Sequence, residues 1–291
     1  MFNFYESKLQ QPERFRLFKC DDSLITLYNC PLENKFVDLW SQHNYIVYVT
    51  EGRKIWHTAH GSYDLQKGAC VFVRKGACIV EQFFDASFCL VLFFIPDEFI
   101  CETLKTKSTP ITRPGKKYEP VITIAKNEKL ESFFNSMLSY FDGAIDPDKS
   151  LLELKFRELI LTMADNPHNT ELLSYFGSLL QEPMSVSLQR VMDDNYCFNL
   201  KLKEYAELSN RSLSAFKRDF HKIFGNTPGK WLLEKRLTHA MYLLSNMNKP
   251  VSEAAFESGF ENTSHFSRSF KERFGMSPTA IKQKYRTLTL K

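Results

Sequence analysis

The cysteines of this sequence form no pattern. Cys20, Cys30, Cys70, Cys78, Cys89, Cys101 and Cys197 are an odd, scattered set without a CxxC pair. That excludes a secreted fold held by a full disulfide framework and suits reduced, buried thiols in a cytoplasmic protein. Long apolar runs are missing too. The longest, Phe88 to Ile95, is far short of the ~20 residues a membrane span requires, so no membrane partner is expected. Met1-Phe2-Asn3-Phe4-Tyr5-Glu6 has no basic head before an apolar stretch, so no signal peptide is expected.

Histidines are few and poorly placed for chelation. His57 and His60 are three apart, and on a strand with period two they face opposite sides. Binding one ion with both would need a turn between them and a third ligand such as His43 or Glu81. Rim or loop histidines are the simpler reading, and we expect no metal site, no cofactor, no catalytic residue and no enzymatic activity.

What is present divides the chain in two. A length of 291 residues fits two domains of ordinary size, and 43% apolar composition with 26 Phe is ample for packed cores. The net charge of +4 is unevenly spread. Ser185 to Lys291 holds 18 Lys and Arg against 10 Asp and Glu, whereas the rest holds 20 against 24. A basic C-terminal part beside an acidic partner suits polyanion binding at one end only.

The basic part contains one pattern written twice, 50 residues apart. Phe216 matches Phe266, Arg218 matches Arg268, Phe220 matches Phe270, Phe224 matches Phe274, Gly225 matches Gly275 and Pro228 matches Pro278. Such a period marks a repeated supersecondary unit. Phe216, Phe220, Ile223 and Phe224 have the spacing of a buried helical stripe, as do Phe266, Phe270 and Phe274. Ser212 and Asn262 are placed to cap these helices, and Gly225 and Gly275 to end them. Thr227-Pro228 and Ser277-Pro278 then start new helices.

A shorter helix precedes each long one: Leu202 to Leu208 with Ala206, and Val251 to Ser258 with Ala255. Asn210 and Gly259 tolerate positive φ at the turn between them. Short helix, tight turn and second helix make a helix-turn-helix, and the alanines allow a close crossing. Opposite the first aromatic stripe are Ser214, Lys217, Arg218 and His221; opposite the second are Ser264, Ser267, Arg268 and Lys271. Hydroxyls and long cations are the side chains that reach base edges and phosphates in a major groove. A solvated charged face would explain one such helix; two at one offset point to double-stranded DNA.

The segment resembles the DNA-binding domain of the AraC/XylS family of bacterial transcription regulators. The resemblance is carried by Ala255, Ser258, Gly259, Phe260, Ser264, Phe266, Ser267, Arg268, Phe270, Lys271, Phe274, Gly275, Ser277 and Pro278, with a degenerate first copy from Ala206 to Pro228. It implies two helix-turn-helix units joined by a long helix, here Pro228 to about Asn246, docking on adjacent major-groove segments of a promoter. It implies base contacts from Ser214, Lys217 and Arg218, and from Thr263, Ser264, His265 and Arg268. Ser214 departs from family members with a bulky residue there. The helix centres are expected about one DNA turn apart, roughly 34 Å.

Before residue 100 the periodicity changes. Leu24–Tyr28, Tyr45–Thr50, Lys54–Thr58, Cys70–Val73, Ile79–Phe84 and Phe88–Phe94 are rich in β-branched and aromatic residues between Gly, Asp and Asn. They predict an all-β barrel or sandwich. Gly52, His57-Thr58-Ala59-His60-Gly61, Leu65, Gly68 and Val73 resemble the cupin-like jelly roll at the N-terminus of many AraC-family regulators. Cys70–Ile100, ending in Phe93-Phe94-Ile95-Pro96-Asp97-Glu98-Phe99-Ile100, looks more like the N-terminal domain of the family's type III secretion activators. Sugar-responsive relatives bind an effector inside the barrel, and Tyr48, Trp56, Tyr63 and Arg74 are the candidates to line such a cavity.

Thr103 to Tyr118, with Pro110, Pro114 and Gly115, reads as a linker. Leu130, Phe133, Phe134, Met137, Leu138 and Phe141 give one amphipathic helix, and Leu152, Phe156, Leu159, Ile160 and Met163 another. Each could cover the barrel or pair with a second subunit; the resemblance implies a dimerisation role, assigned to Leu152 through Met163. Leu172–Leu180 and a helix over Val186–Met192 complete the layer and open the DNA-binding domain, with Glu182-Pro183 as the joint.

The expected fold is α+β and multidomain: a cupin-like β-barrel regulatory domain over 1–125, dimerisation helices over 126–184, and an all-α double helix-turn-helix domain over 185–291. The expected function is a DNA-binding transcription regulator. The resemblance adds activation, RNA polymerase as a partner and a homodimer. Control by a small-molecule effector or by a protein antagonist stays open, as does a cupin-type metal enzyme fused to a DNA-binding tail.

Overall fold

The computed structural model describes residues 1–11, 16–29, 34–84, 87–111, 118–143, 145–181 and 188–289. The chain divides into two compact units, Met1–Val186 and Ser187–Lys291. The expected Glu182-Pro183 joint, Cys30 and most of the Pro- and Lys-rich stretch before Tyr118 lie outside the described residues.

The N-terminal unit opens with β1 (Phe2–Asn3), α1 (Phe4–Leu9), β2 (Leu17–Cys20), β3 (Ser23–Asn29) and β4 (Phe36–Ser41). It continues with β5 (Asn44–Glu51), β6 (Arg53–His57), β7 (Ser62–Gln66), β8 (Cys70–Val73), β9 (Gly76–Gln82) and β10 (Cys89–Ile95). After α2 (Asp97–Lys105) and β11 (Val121–Thr123) come three helices, α3 (Glu128–Asp142), α4 (Lys149–Asp165) and α5 (Thr170–Gln181).

The strands make two sheets, ordered β1-β4-β9-β6-β7 and β11-β8-β5-β10-β3-β2. The expected β-rich N-terminal fold is therefore present, but these sheets face each other across one core as a sandwich, and among the described residues they do not close into a barrel. Strand β10 shows why its sequence is apolar throughout. It lies between β5 and β3, with Phe93 opposite Ile46 and Ile25. Leu90, Leu92 and Phe94 join the core between the sheets, while Val91, Phe93 and Ile95 join a second core under the helices. A strand buried on both faces has no polar alternation to show.

The second core also takes Phe133, Phe134 and Met137 from α3, Phe156, Leu159 and Ile160 from α4, and Tyr175 and Phe176 from α5. This corrects the expectation for α4. Leu152, Phe156, Leu159, Ile160 and Met163 are all buried within their own unit, so that stripe is not free to pair with a second subunit. The segment expected to be a linker from Thr103 begins inside α2, which runs to Lys105.

The C-terminal unit is helical: α6 (Leu188–Asn195), α7 (Leu202–Leu208), α8 (Leu213–Phe224), α9 (Pro228–Ser245), α10 (Val251–Glu257), α11 (Thr263–Phe274) and α12 (Pro278–Thr289). Phe216 and Phe220 are buried and continue through Phe224 to Trp231 in a chain of ring contacts. Ile223, expected in that stripe, is instead 58% exposed. Its position on the helix lies past the edge of the sector that Phe216, Phe220 and Phe224 cover. In the second copy Phe266 and Phe270 pack with Ala254, Ala255, Phe260, Leu237 and Leu244. Each fully buried Phe contributes about 1.5–3 kcal/mol, which makes these stripes the main hold on the two long helices.

Candidate nucleic-acid interface

The two helix-turn-helix copies are built by the same local devices. In the first, α7 leads into a turn where Asn210 has φ of 53°, and the Ser212 hydroxyl accepts the Ala215 amide at 3.2 Å to start α8. In the second, α10 leads into Gly259 with φ of 89°, and the Asn262 carboxamide accepts the amides of Ser264 and His265 at 2.8 and 3.0 Å to start α11. Gly225 and Gly275 close the long helices in the left-handed conformation. Thr227 then caps α9 ahead of Pro228.

Burying the aromatic stripes turns the polar faces outward. Ser214, Lys217, Arg218 and His221 on α8 are exposed, as are Thr263, Ser264, His265, Arg268 and Lys271 on α11, while Ser267 is half-buried. Each long helix thus presents hydroxyls and cations to solvent from a rigid frame. A base edge can be met by such side chains without moving the backbone.

The copies differ in one respect. Arg218 Nε donates to the Asp219 carboxylate at 3.1 Å, and Arg211 Nε donates to the same carboxylate at 3.3 Å. Arg211 also donates to the Ser209 carbonyl at 2.8 Å, which anchors the pair on the turn. In the second copy the position of Asp219 is taken by Ser269, whose Oγ lies 3.4 Å from His265 Nε2. No carboxylate occupies that place beside Arg268.

A cleft of about 850 Å³ lies between the lead-in to α7, α9 and the second copy, lined among others by Lys201, Leu232, Arg236, Gly259, His265 and Arg268. Arg236 on α9 reaches its floor and donates to the Tyr196 and Phe198 carbonyls at 2.6 and 2.8 Å. The repeat does match Arg236 to Arg286 at the same offset of 50, but sequence alone does not show that Arg236 reaches from α9 to the Tyr196 to Phe198 stretch. Beside it, burial pushes the Cys197 thiol up to about 12 and lowers the His239 imidazole below its ordinary value.

In the N-terminal unit, the four candidate effector contacts are not brought together. Trp56 lines a cavity of about 220 Å³ between the sheets, with Phe4, Tyr28, Leu39, Lys54 and Phe88. Tyr48 lies on the other face of its sheet, stacked on Phe134 at 4.2 Å. The Tyr63 hydroxyl donates to Glu119 at 3.0 Å. Arg74 sits over the rings of Tyr118 and Tyr175, 5.0 and 5.5 Å from their centroids. The polar members of the cavity are Asn34 and a buried cross-strand pair, Lys54 Nζ donating to Gln82 Oε1 at 2.6 Å. Lys54 points inward at a position where alternation would place an aliphatic residue, a departure that could have been noticed beside Trp56.

His57 hydrogen-bonds Ser62 at 2.7 Å and pairs with Glu81 at 3.1 Å. Among the described residues no group of three or more His, Cys, Asp and Glu side chains could hold a metal ion. No helix among them is long and apolar enough to cross a membrane.

Comparison with known proteins agrees with a helix-turn-helix unit behind an N-terminal β-rich one. A family model described as the ExsA N-terminal regulatory domain matches residues 44–175, and one described as a helix-turn-helix domain matches residues 205–284. The HTH-type transcriptional regulator ExsA of Pseudomonas aeruginosa is 31% identical over 259 residues, covering 78% of this chain and 91% of that protein. The chain belongs to the AraC/XylS family of transcription regulators. Other AraC/XylS relatives include the virulence regulon transcriptional activator VirF of Yersinia enterocolitica, 27% identical over 232 residues, covering 79% of this chain and 85% of VirF. The transcriptional activator RhaS of Salmonella agona is 26% identical over 244 residues, covering 82% and 84%. The match to the ExsA regulatory-domain model spans β5 through α5 up to Tyr175, and so takes in most of the sandwich and its helical cover.

Proposed function

We propose that this AraC/XylS-family chain is a sequence-specific activator that binds two adjacent major-groove segments of a promoter. The single observation behind this reading is the pair of exposed faces on α8 and α11, repeated at one offset in matching frames. Lys271 would neutralise phosphate and, with the other Lys and Arg side chains, supply affinity, and His221 and Ser267 would hydrogen-bond phosphate. Ser214, Lys217 and Arg218 on α8 and Thr263, Ser264, His265 and Arg268 on α11 would choose the bases.

Activation is carried over from the named activators among the relatives, and recruitment of RNA polymerase is what the family resemblance adds. The chain would act in the cytoplasm as a homodimer. Because the Leu152 to Met163 stripe is spent inside the N-terminal unit, pairing would use another surface of that unit. Its parts would be a regulatory domain over 1–125, helices over 126–184 packed on it and a DNA-binding domain over 185–291, with the cut for truncations between the last two.

Control would enter through the N-terminal unit. A small effector would occupy the cavity beside Trp56 and Lys54; a protein antagonist would need no cavity at all. A specific metabolite that raises the melting temperature in proportion to the logarithm of its concentration supports the first.

The test of the main reading is selection of bound fragments from random DNA, followed by footprinting on the recovered motif. Two protected segments about one turn apart, roughly 34 Å, are expected. Recovery of no motif, with uniform binding to every fragment, overturns the reading.

A further inference from the structure

Two recognition helices can enter successive grooves together only when their separation and relative rotation match the duplex. In sequence, α9 alone joins the two copies. In space a second tie exists. Arg236, near the middle of α9, donates Nε to the Tyr196 carbonyl at 2.6 Å and Nη2 to the Phe198 carbonyl at 2.8 Å. Those carbonyls belong to the stretch that leads from α6 into α7, the entry to the first copy. Tyr205 of α7 holds the same entry, its hydroxyl donating to the Asn195 carbonyl at 2.8 Å.

The second copy meets this stretch from the other side. Gly259, at the turn before α11, has φ of 89°, and a Cβ built on it would lie 2.7 Å from the Cys197 carbonyl oxygen and 3.0 Å from Arg236 Nε. Only glycine leaves room for so close an approach, for steric and conformational reasons together. The Arg236 guanidinium therefore sits where the joining helix, the lead-in of the first copy and the turn of the second converge. Its planar fork binds two carbonyls in one fixed geometry, which an ammonium on a flexible stem cannot reproduce.

We infer that Arg236 is a positioning residue that sets the distance and rotation between α8 and α11, and so determines which spacing of the two half-sites the protein accepts. This rests on the two-groove reading above. Arg236 touches no base in this account; it acts by holding the Tyr196 to Phe198 stretch against Gly259.

The experiment uses the intact chain and the motif recovered by selection. Its two segments are placed at the natural separation and at separations one or two base pairs longer and shorter. Each added base pair moves the far segment by roughly 3.4 Å and turns it by roughly 35°. The wild-type chain is expected to prefer one spacing about tenfold over its neighbours, and Arg236→Lys to reduce that preference to about twofold. A merely structural role would lower the melting temperature and every affinity alike, leaving the ratio unchanged. A cooperatively folded Arg236→Lys chain with wild-type spacing preference overturns the inference. If that variant does not fold, Gly259→Ala enters the same joint from the second copy and is read in the same way. A wild-type chain that binds a discrete site with no spacing preference also overturns it. Failure to bind any discrete site sinks the DNA-binding reading itself.

Discussion

The ammonium of Lys75 lies 2.8 Å from the carboxylate of Asp97, with only 8% and 7% of their side chains exposed. Asn44 donates to Asp97 at 2.6 Å and accepts from the Tyr175 hydroxyl at 2.9 Å and the Lys75 amide at 3.1 Å. The network fastens β5, the β8–β9 turn, α2 and α5 to one another. Removing one partner of a buried ion pair strands the other charge, so Lys75→Met is expected to cost about 3–5 kcal/mol. Joint replacement of Lys75 by Met and Asp97 by Leu should cost much less than the two single changes added together. Urea unfolding of the four chains gives the coupling; strict additivity would contradict the pairing.

Stability should also depend on pH through His43. Burial lowers its imidazole to about 4, against a pull upward from Asp22 and Asp97 and a further push downward from Lys75 and Lys19. The folded value is therefore below the unfolded one of 6.5. Unfolding takes up a proton between the two, so the contribution is fully present above about pH 6.5 and is lost as the pH falls toward 4. Melting temperatures of wild type and His43→Asn, compared from pH 7 to pH 4.5, should converge as the pH drops. Parallel curves would show that His43 titrates normally.

On DNA, Arg268 and Lys271 should behave differently. Arg268→Ala is expected to cost about 1–3 kcal/mol on the selected site, to relax one base position and to change binding to random DNA little. Lys271→Ala should weaken both substrates alike and reduce the slope of log affinity against log salt by about 0.9. Equal losses from Arg268→Ala on both substrates would reassign that residue to phosphate.

The first copy carries its own restraint. Asp219 holds Arg218 at 3.1 Å, whereas Ser269 stands in its place in the second copy. Exposed pairs are worth about 0.2–1 kcal/mol, so Asp219→Ser should raise affinity for the selected site by about 1.4- to 5-fold. The gain should vanish when Arg218→Ala is added. Gain that persists in the double variant would mean that Asp219 acts through general repulsion of phosphate.

Much of the C-terminal unit could be read from sequence because a duplicated pattern supplies its own control. Phe216 and Phe266, the Ser212 and Asn262 caps and the Asn210 and Gly259 turns each appear twice, and both appearances formed. Ile223 misled because its i+7 spacing fits a helix stripe whose edge lies just short of it. In the N-terminal unit the strongest apolar strands were legible, with ends shifted by a residue or a few. Strands β1, β2, β4, β7 and β11 were not: β1, β2 and β11 are short, Ser62–Gln66 is mostly polar toward solvent, and β4 was missed although it carries Val37, Leu39 and Trp40. The use of the α4 stripe could not be told either. A stripe of Leu, Phe and Ile looks the same whether it covers a sheet or a sister subunit, and only the packing of Phe156 on Phe93 decides between them. Tyr48, Tyr63 and Arg74 failed as a cavity set for a related reason: residue type says nothing about which side of a two-sided sheet a ring occupies.

The strand β10 also limits how the gene can be cut. Since Val91, Phe93 and Ile95 are greasy toward the helices just as Leu90, Leu92 and Phe94 are toward the opposite sheet, a fragment stopped ahead of α3 would be born with a bare, sticky wall. Copies of it would clump by that wall, and bait or crystallisation fragments of the front half need to run through Gln181 to stay dispersed.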